Sequence, residues 1–349
     1  MNSPILSVLL GTAVGDSMGL PAENLPPWRI QKRWSGAWSQ RFVFGRGMVS
    51  DDTEHTVFVA QCLARGPVDA KSFQKMLAAK LRWWLLCIPA GIGFATLRAI
   101  LKLWIGFPPS RSGVFSAGNG PAMRSALIGA YFADKDVTFK STMAYVRAST
   151  RLTHTDPKAE TAALAVALTA AWSVTTADPT TRSKAIRPYW LLANVVDDGN
   201  WVVLVNHILN AHERHLTVSD FALELGLKKG VTGYAYHTVP VALYAWLTHY
   251  GDYRAGLEAV LNCGGDTDTV GAITGALLAL NSEIPEEWSS GLCDYPISRD
   301  YLESLAVALE LGPDEITQEI PTFAWIALPF RNIVFLAIIV AHVCRRLIP

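Results

Sequence analysis

Residues 264–280 read GGDTDTVGAITGALLAL: two glycines, then Asp266-Thr267-Asp268-Thr269, then an uncharged apolar stretch from Val270 to Leu280. Glycines suit a tight turn, acids and hydroxyls suit a helix start, and the alanine- and leucine-rich remainder suits a helix interior. The same order recurs upstream, where Ser50-Asp51-Asp52-Thr53 precedes the apolar run His55 to Ala64. Pro121 to Phe132, Ala159 to Trp172 and Val239 to Thr248 are further helical runs, and strand-like alternation is scarce. These runs are apolar around much of their circumference, as expected of helices enclosed by other helices. The expected fold is all-α, a large single-domain helical bundle.

The 349 residues are 50% hydrophobic and only 17% charged, which excludes a disordered or solvating chain. Thirty Lys and Arg balance thirty Asp and Glu, so no global basic field attracts nucleic acid, and none is expected as a partner. Cys62, Cys87, Cys263, Cys293 and Cys344 are scattered and odd in number, which fits reduced thiols in a cytoplasm better than a disulfide framework. Ile5 to Leu10 lacks a basic flank and is soon followed by Asp16, so it does not read as a signal peptide.

Loop-forming compositions fall at Gly106 to Gly120, Thr175 to Pro188 and Glu283 to Pro296. The reading is a helical catalytic domain over 1–290 and a C-terminal extension over 291–349 that packs on the domain, a partner or a membrane. Phe323 to Val343 is apolar apart from Pro329, Arg331, Asn332 and His342, and Arg345-Arg346 follow it. The uninterrupted stretch Ile333 to Ala341 falls short of the roughly 20 residues a membrane span needs. A buried helix is therefore expected there in preference to a lipid-facing anchor.

The acidic clusters carry the chemistry. A single cluster at a helix start has a structural explanation, because Ser, Thr and Asp cap unpaired N–H groups and acids suit the positive helix end. Capping does not require the arrangement twice. Four carboxylates brought together repel unless cations neutralise them, and hard divalent ions take oxygen ligands of these types. Mg²⁺ is the expected occupant, with Mn²⁺ as the alternative; zinc is disfavoured because no Cys or His stands in ligand spacing beside either cluster.

Four further segments accompany these motifs in order along residues 5 to 281: Gly11-Thr12-Ala13-Val14-Gly15-Asp16-Ser17-Met18-Gly19, Gly118-Asn119-Gly120-Pro121-Ala122-Met123-Arg124, Thr153-His154-Thr155-Asp156-Pro157, and Gly233 to Leu243. Together they resemble the ADP-ribosylglycohydrolase family, which includes the dinitrogenase reductase-activating glycohydrolases. The resemblance implies an all-α fold with a binuclear magnesium centre at the base of a cleft for ADP-ribose. By motif position Ser50, Asp51 and Asp52 serve one ion, Asp266 and Thr269 the other, and Asp268 bridges both. Glu23 matches an acidic position that approaches the metals in some members, and it joins Asp51, Asp52, Asp266 and Asp268 as an expected catalytic residue.

Gly118, Asn119 and Gly120 precede a helix expected from Pro121, where backbone N–H groups could receive a diphosphate; an ordinary turn is the other reading. Arg124 lies one turn further, orienting the loop or purely structural. Asp156 is read as a cap with Pro157 in the first turn. His154 resembles the family histidine near ribose and phosphates. Tyr234 or Tyr236 could stack on adenine or pack in the core. His237 stands where many relatives have a small polar or acidic residue.

The implied reaction is hydrolysis of the C1″ glycosidic bond of an ADP-ribosylated protein or small molecule, with two ions orienting the ribose and the attacking water. Two rival readings carry different tests. An immunity or binding protein that masks an ADP-ribosyltransferase partner or its modified target would keep its masking in an acid-to-Asn variant. A two-metal phosphoesterase would release AMP or phosphate rather than ADP-ribose.

Overall fold

The structure, a computed structural model, describes residues 3–34, 37–133, 139–176, 182–311 and 320–347. In chain order the helices are α1 (Pro4–Gly19), α2 (Pro27–Arg33), α3 (Asp51–Ala64), α4 (Ala70–Leu86), α5 (Phe94–Trp104), α6 (Gly120–Met123), α7 (Ser125–Ala133), α8 (Phe139–Arg151) and α9 (Pro157–Thr175). They continue with α10 (Arg182–Leu192), α11 (Gly199–Glu213), α12 (Val218–Glu224), α13 (Ala235–Thr248), α14 (Tyr253–Leu261), α15 (Thr267–Leu278), α16 (Glu286–Ser289), α17 (Arg299–Leu311) and α18 (Ala327–Leu347). Among the described residues the only β pairing is a set of isolated bridges, so the all-α expectation holds.

The two helices that carry the N-terminal glycine segment and the second acidic motif form the axis. Gly11, Gly15 and Gly19 recur every four residues and so share one side of α1. A Cβ on any of them would land on the backbone carbonyl of Gly275, Gly271 or Thr267 respectively in α15. Backbone-to-backbone approach of this kind is open only to glycine, and α15 answers with Gly271 and Gly275 of its own. Around this pair stand α13, α14 and α9, with α3 and α17 on the α1 side. One contiguous core runs through all of them, including the fully buried Trp84, Trp190, Trp201 and Trp246.

Leu302, Leu305, Ala306 and Leu309 of α17 are buried against α1 and α3. Val146 of α8 and Ile186 of α10 are likewise buried. The residues 177–181 of the expected 175–188 loop lie outside the described ones, and α10 begins at Arg182.

Two expectations are corrected. The run from Pro121 to Phe132 is two helices, α6 and α7, broken at Arg124 (φ −105°, ψ 6°). The cause is a fully buried guanidinium drawn to Ser149, Thr153 and His55, which takes Arg124 out of the helical path. The C-terminal run, read as a buried helix interrupted by Pro329 and Arg331, is instead one unbroken 21-residue helix, α18, most of whose surface is exposed. Pro329 sits in its first turn, where a missing N–H costs nothing, and Arg331 turns inward. By length and composition α18 could cross a membrane; α1 passes the same test but is buried in the core. The side chain of Arg346 lies outside the described residues.

Candidate active site

Folding α1 against α15 sets the start of α15 beside the start of α3. Asp16, on α1, reaches the second of these: its Oδ2 accepts hydrogen bonds from Ser50 N (2.8 Å), Thr53 N (3.2 Å) and Thr53 Oγ1 (2.6 Å). Asp16 thus caps α3 from another helix and fixes where Asp51 and Asp52 point. Ser50 also caps its own helix, accepting from Asp52 N at 3.3 Å. Capping therefore accounts for Ser50 and Asp16, and the remaining acids are free of that duty.

Asp52 is where the two motifs meet. Its Oδ2 accepts from Ser50 Oγ at 3.2 Å and from Thr269 Oγ1, 217 residues away in sequence, also at 3.2 Å. Its Oδ1 is buried with no hydrogen-bond partner, as is Oδ1 of Asp16. Asp266 occupies the N-cap position of α15 yet makes no cap bond; its Oδ2 instead accepts from Asn119 Nδ2 at 2.6 Å. Asp268 Oδ1 accepts from Thr269 N at 2.9 Å, and its carboxyl lies in hydrogen-bond contact with that of Asp266.

The turn before α15 depends on glycine at two positions. Gly264 and Gly265 hold φ of +68° and +84°, and a Cβ there would strike the carbonyls of Leu25 and Val231. Backbone bonds lace the turn to its neighbours: Gly265 N to Leu25 O (2.8 Å), Asn24 N to Gly265 O (2.7 Å) and Asp266 N to Val231 O (2.9 Å). Glu23 heads the 23–25 segment and is partly exposed, and its charge acts on Asp51 and Asp268.

The electrostatics are those of an acid cluster short of positive charge. Burial pushes Asp16 up to about 6, against the hydrogen bonds from Thr53 and Ser50. Burial, then the neighbouring carboxylates, raises Asp51, Asp52 and Asp268 well above the ordinary range: Glu54 and Asp16 act on Asp51, Asp16 and Asp51 on Asp52, Glu23 and Asp266 on Asp268. Among the described residues no three His, Cys, Asp or Glu side chains form a ready-made coordination group; the convergence mixes carboxylates with the hydroxyls of Ser50 and Thr269. All these donors are oxygens, two buried carboxylate oxygens lack partners, and burial together with mutual repulsion disfavours the charged acids. That donor chemistry fits a hard divalent ion.

The other expected residues gather beside the cluster. Asn119 Nδ2 bonds both Asp266 and Thr238 Oγ1 (3.0 Å), so its amide is committed to holding the acid rather than displayed at a long helix's start; α6 spans only Gly120–Met123. Gly118 and Gly120 face His154, whose Nε2 a Cβ at Gly118 would meet at 2.9 Å. The His154 ring is held through Nδ1 by Thr153 Oγ1 (2.9 Å), which accepts from Arg124 Nη2 (3.0 Å). Burial and then the Arg124 charge lower His154 to about 3, so its ring is neutral near pH 7. Asp156 caps α9 as expected, accepting from Lys158 N at 2.9 Å.

The two tyrosines separate. Tyr234 is partly exposed at the N-cap of α13, beside Gly233 and the ring of His237 (4.9 Å). Tyr236 lies inside the helix, buried against Trp201 (5.2 Å) with its hydroxyl donated to Asp198 Oδ2 at 3.2 Å. Of the two, Tyr234 keeps part of its surface exposed, with Lys158 Nζ 5.9 Å from its ring, and Tyr236 has a core role. Asp16 and Glu54 were not singled out from sequence. The available signal was physical: Asp16 is the one acid in an otherwise apolar, glycine-spaced helix, and a buried carboxylate needs a reason.

Fold and site together define an all-helical protein with an acid cluster between two helix starts. Residues 2–318 match the ADP-ribosylglycohydrolase family, and the chain belongs to that family. It is accordingly a glycohydrolase, a hydrolase that removes ADP-ribose. It is 31% identical over 317 residues to an uncharacterised protein of Archaeoglobus fulgidus, covering 88% of this chain and 96% of that one. It is 25% identical over 324 residues to the ADP-ribosyl-[dinitrogen reductase] glycohydrolase of Rhodospirillum rubrum, covering 88% of this chain and 96% of the relative. A solved ADP-ribosylglycohydrolase-related protein complex shares the fold, with a TM-score of 0.61 at 24% identity over 89% of this chain and 98% of the other.

Proposed function

We propose that this chain cleaves the C1″ glycosidic bond of an ADP-ribosyl adduct with two divalent cations, Mg²⁺ or Mn²⁺, held between the starts of α3 and α15. The observation that carries the reading is Asp52, which joins Ser50 and Thr269 across the two motifs while its second oxygen stays buried and unpartnered. Ser50, Asp51, Asp52, Asp266, Asp268 and Thr269 would hold the ions. When bound, the pair neutralises the acids and supplies Lewis acidity and orientation at the reacting centre.

The chain's own residues do the rest. Asn119 fixes the Asp266 carboxylate, and Asp16 fixes the backbone from which Asp51 and Asp52 project. Carboxylates at a partly desolvated opening favour the positive charge that develops on the ribose as the bond to C1″ breaks, and one of them takes the proton of the attacking water. Glu23, partly exposed and close enough for its charge to act on Asp51 and Asp268, is the acid assigned to that transfer. The neutral His154 and the Gly118–Gly120 backbone bind the diphosphate and ribose, and Tyr234 offers the adenine a face.

The substrate is an ADP-ribosylated protein or small molecule, and the setting is cytoplasmic. Mass spectrometry after incubation with a panel of linkage-defined ADP-ribosyl substrates tests this. Free ADP-ribose, lost in the Asp266→Asn/Asp268→Asn variant, is expected; release of AMP or phosphate would overturn the assignment.

A further inference from the structure

We propose that the outer face of α18, with the tip of the 43–46 turn, docks this protein in the plane of a bilayer carrying anionic phospholipids, and that Arg33, Arg41 and Arg345 take the headgroup phosphates. The matched family region ends at residue 318, so α18 lies beyond it.

A surface helix of a water-soluble protein turns its polar side outward. In α18 the order is inverted. The inner face carries the polar groups: Arg331 pairs with Glu54 and Asp294, Asn332 Nδ2 donates to Cys87 O (2.8 Å), and His342 bonds Phe42 O (2.6 Å). The outer face carries Phe330, Ile333, Val334, Leu336, Val340 and Val343, each between 46% and 69% exposed. No Asp or Glu occurs in the helix. Contiguous exposed apolar surface of this kind marks an interaction site.

The neighbouring 43–46 turn adds a second apolar projection. Val43 and Arg46 close it by reciprocal backbone bonds of 3.0 and 2.8 Å, and Phe44 sits at its tip with φ +46° and a fully exposed ring. A bulky residue rarely adopts that conformation. The turn is fixed to α18, because Phe42 packs on Phe335 (5.0 Å) and its carbonyl accepts from His342.

Charge selects the occupant. Beside the C-terminal half of α18, Arg33, Arg41 and Arg345 border a cleft of about 210 Å³ with His342 and Trp34. All three arginines are exposed, and no described acid pairs with them. An anionic lipid surface complements such a rim, whereas a second copy of this chain would present the same cations. The inner face decides between lying on the membrane and crossing it. Crossing would carry Arg331, Asn332 and His342 into hydrocarbon and strip Glu54 and Asp294 of their cation, so α18 stays on the body.

Co-sedimentation of the full chain with phosphatidylcholine vesicles, with and without phosphatidylglycerol, tests the proposal. Partition that rises with phosphatidylglycerol is expected. It should weaken at least about tenfold in Ile333→Ser/Leu336→Ser/Val340→Ser and measurably in Phe44→Ser. Arg41→Glu/Arg345→Glu should lose the phosphatidylglycerol dependence. Vesicle-free hydrolysis and circular dichroism should be unchanged in all three, and alkaline carbonate should release the bound protein. Wild-type partition no greater than that of the variants overturns the proposal. So does resistance to carbonate, which means a span, or a vesicle-free dimer abolished by the triple variant without any lipid binding.

Discussion

Asn119 and Asp266 meet at 2.6 Å, and this contact separates a scaffold role from a chemical one at the resolution of one side chain. Asn119→Ala leaves Asp266 in place but unheld; activity should fall about 10- to 100-fold, the usual cost of losing a group that orients a ligand, with an unchanged melting temperature. A pH prediction follows from the buried rings of His55 and His154. Burial, then the Arg124 charge, lowers both, His154 to about 3, against an unfolded value near 6.5. Below pH 6.5 the unfolded chain binds protons the folded chain refuses, so the stability their neutrality confers is present above 6.5 and lost as pH falls. The slope approaches about 1.4 kcal/mol per pH unit for each ring, and His154→Gln should flatten it in denaturant titrations at pH 4 to 6.5. At this scale the paired acids were legible because repetition at two helix starts exceeds what capping needs. Asp16 was not, because its partners, Ser50 and Thr53, are supplied by a different helix. Nor could periodicity show that Tyr234 faces outward while Tyr236 is buried against Trp201.

Helix against helix, the glycine register between α1 and α15 aligns the acids. Since a Cβ at Gly15 would overlap the carbonyl of Gly271, neither helix can yield without moving Asp16 or Asp268. Gly15→Val should cost about 3 kcal/mol or more, or prevent folding, by forced separation of the backbones. The milder Gly15→Ala should lower stability less than Gly15→Val while still displacing Asp16, visible as a smaller melting shift paired with a drop in kcat. The apolar runs made α3, α7, α9, α13 and α15 legible, whereas the more amphipathic α4, α5 and α8 were not singled out. The break at Arg124 was hidden, because it answers to Ser149, Thr153 and His55 on other segments. The exposure of α18 was hidden for a related reason: composition reports how apolar a helix is, not which of its faces meets the core.

Across the whole molecule, Arg331 ties the C-terminal helix to the site. It pairs with Glu54 one turn after Asp51 and with Asp294, and it donates to the carbonyl of Val49 beside Ser50. Arg331→Met strands two buried carboxylates and should cost about 3–5 kcal/mol, read as a shift in denaturation midpoint. The proposed hydrolysis depends above all on two cations between the starts of α3 and α15. Metal content by mass spectrometry of protein dialysed in Mn²⁺, measured alongside release of ADP-ribose, tests this most directly. The prediction is two ions per chain, fewer in Asp268→Asn, with hydrolysis lost on chelation and restored by Mg²⁺ or Mn²⁺; full activity in metal-free protein would contradict it.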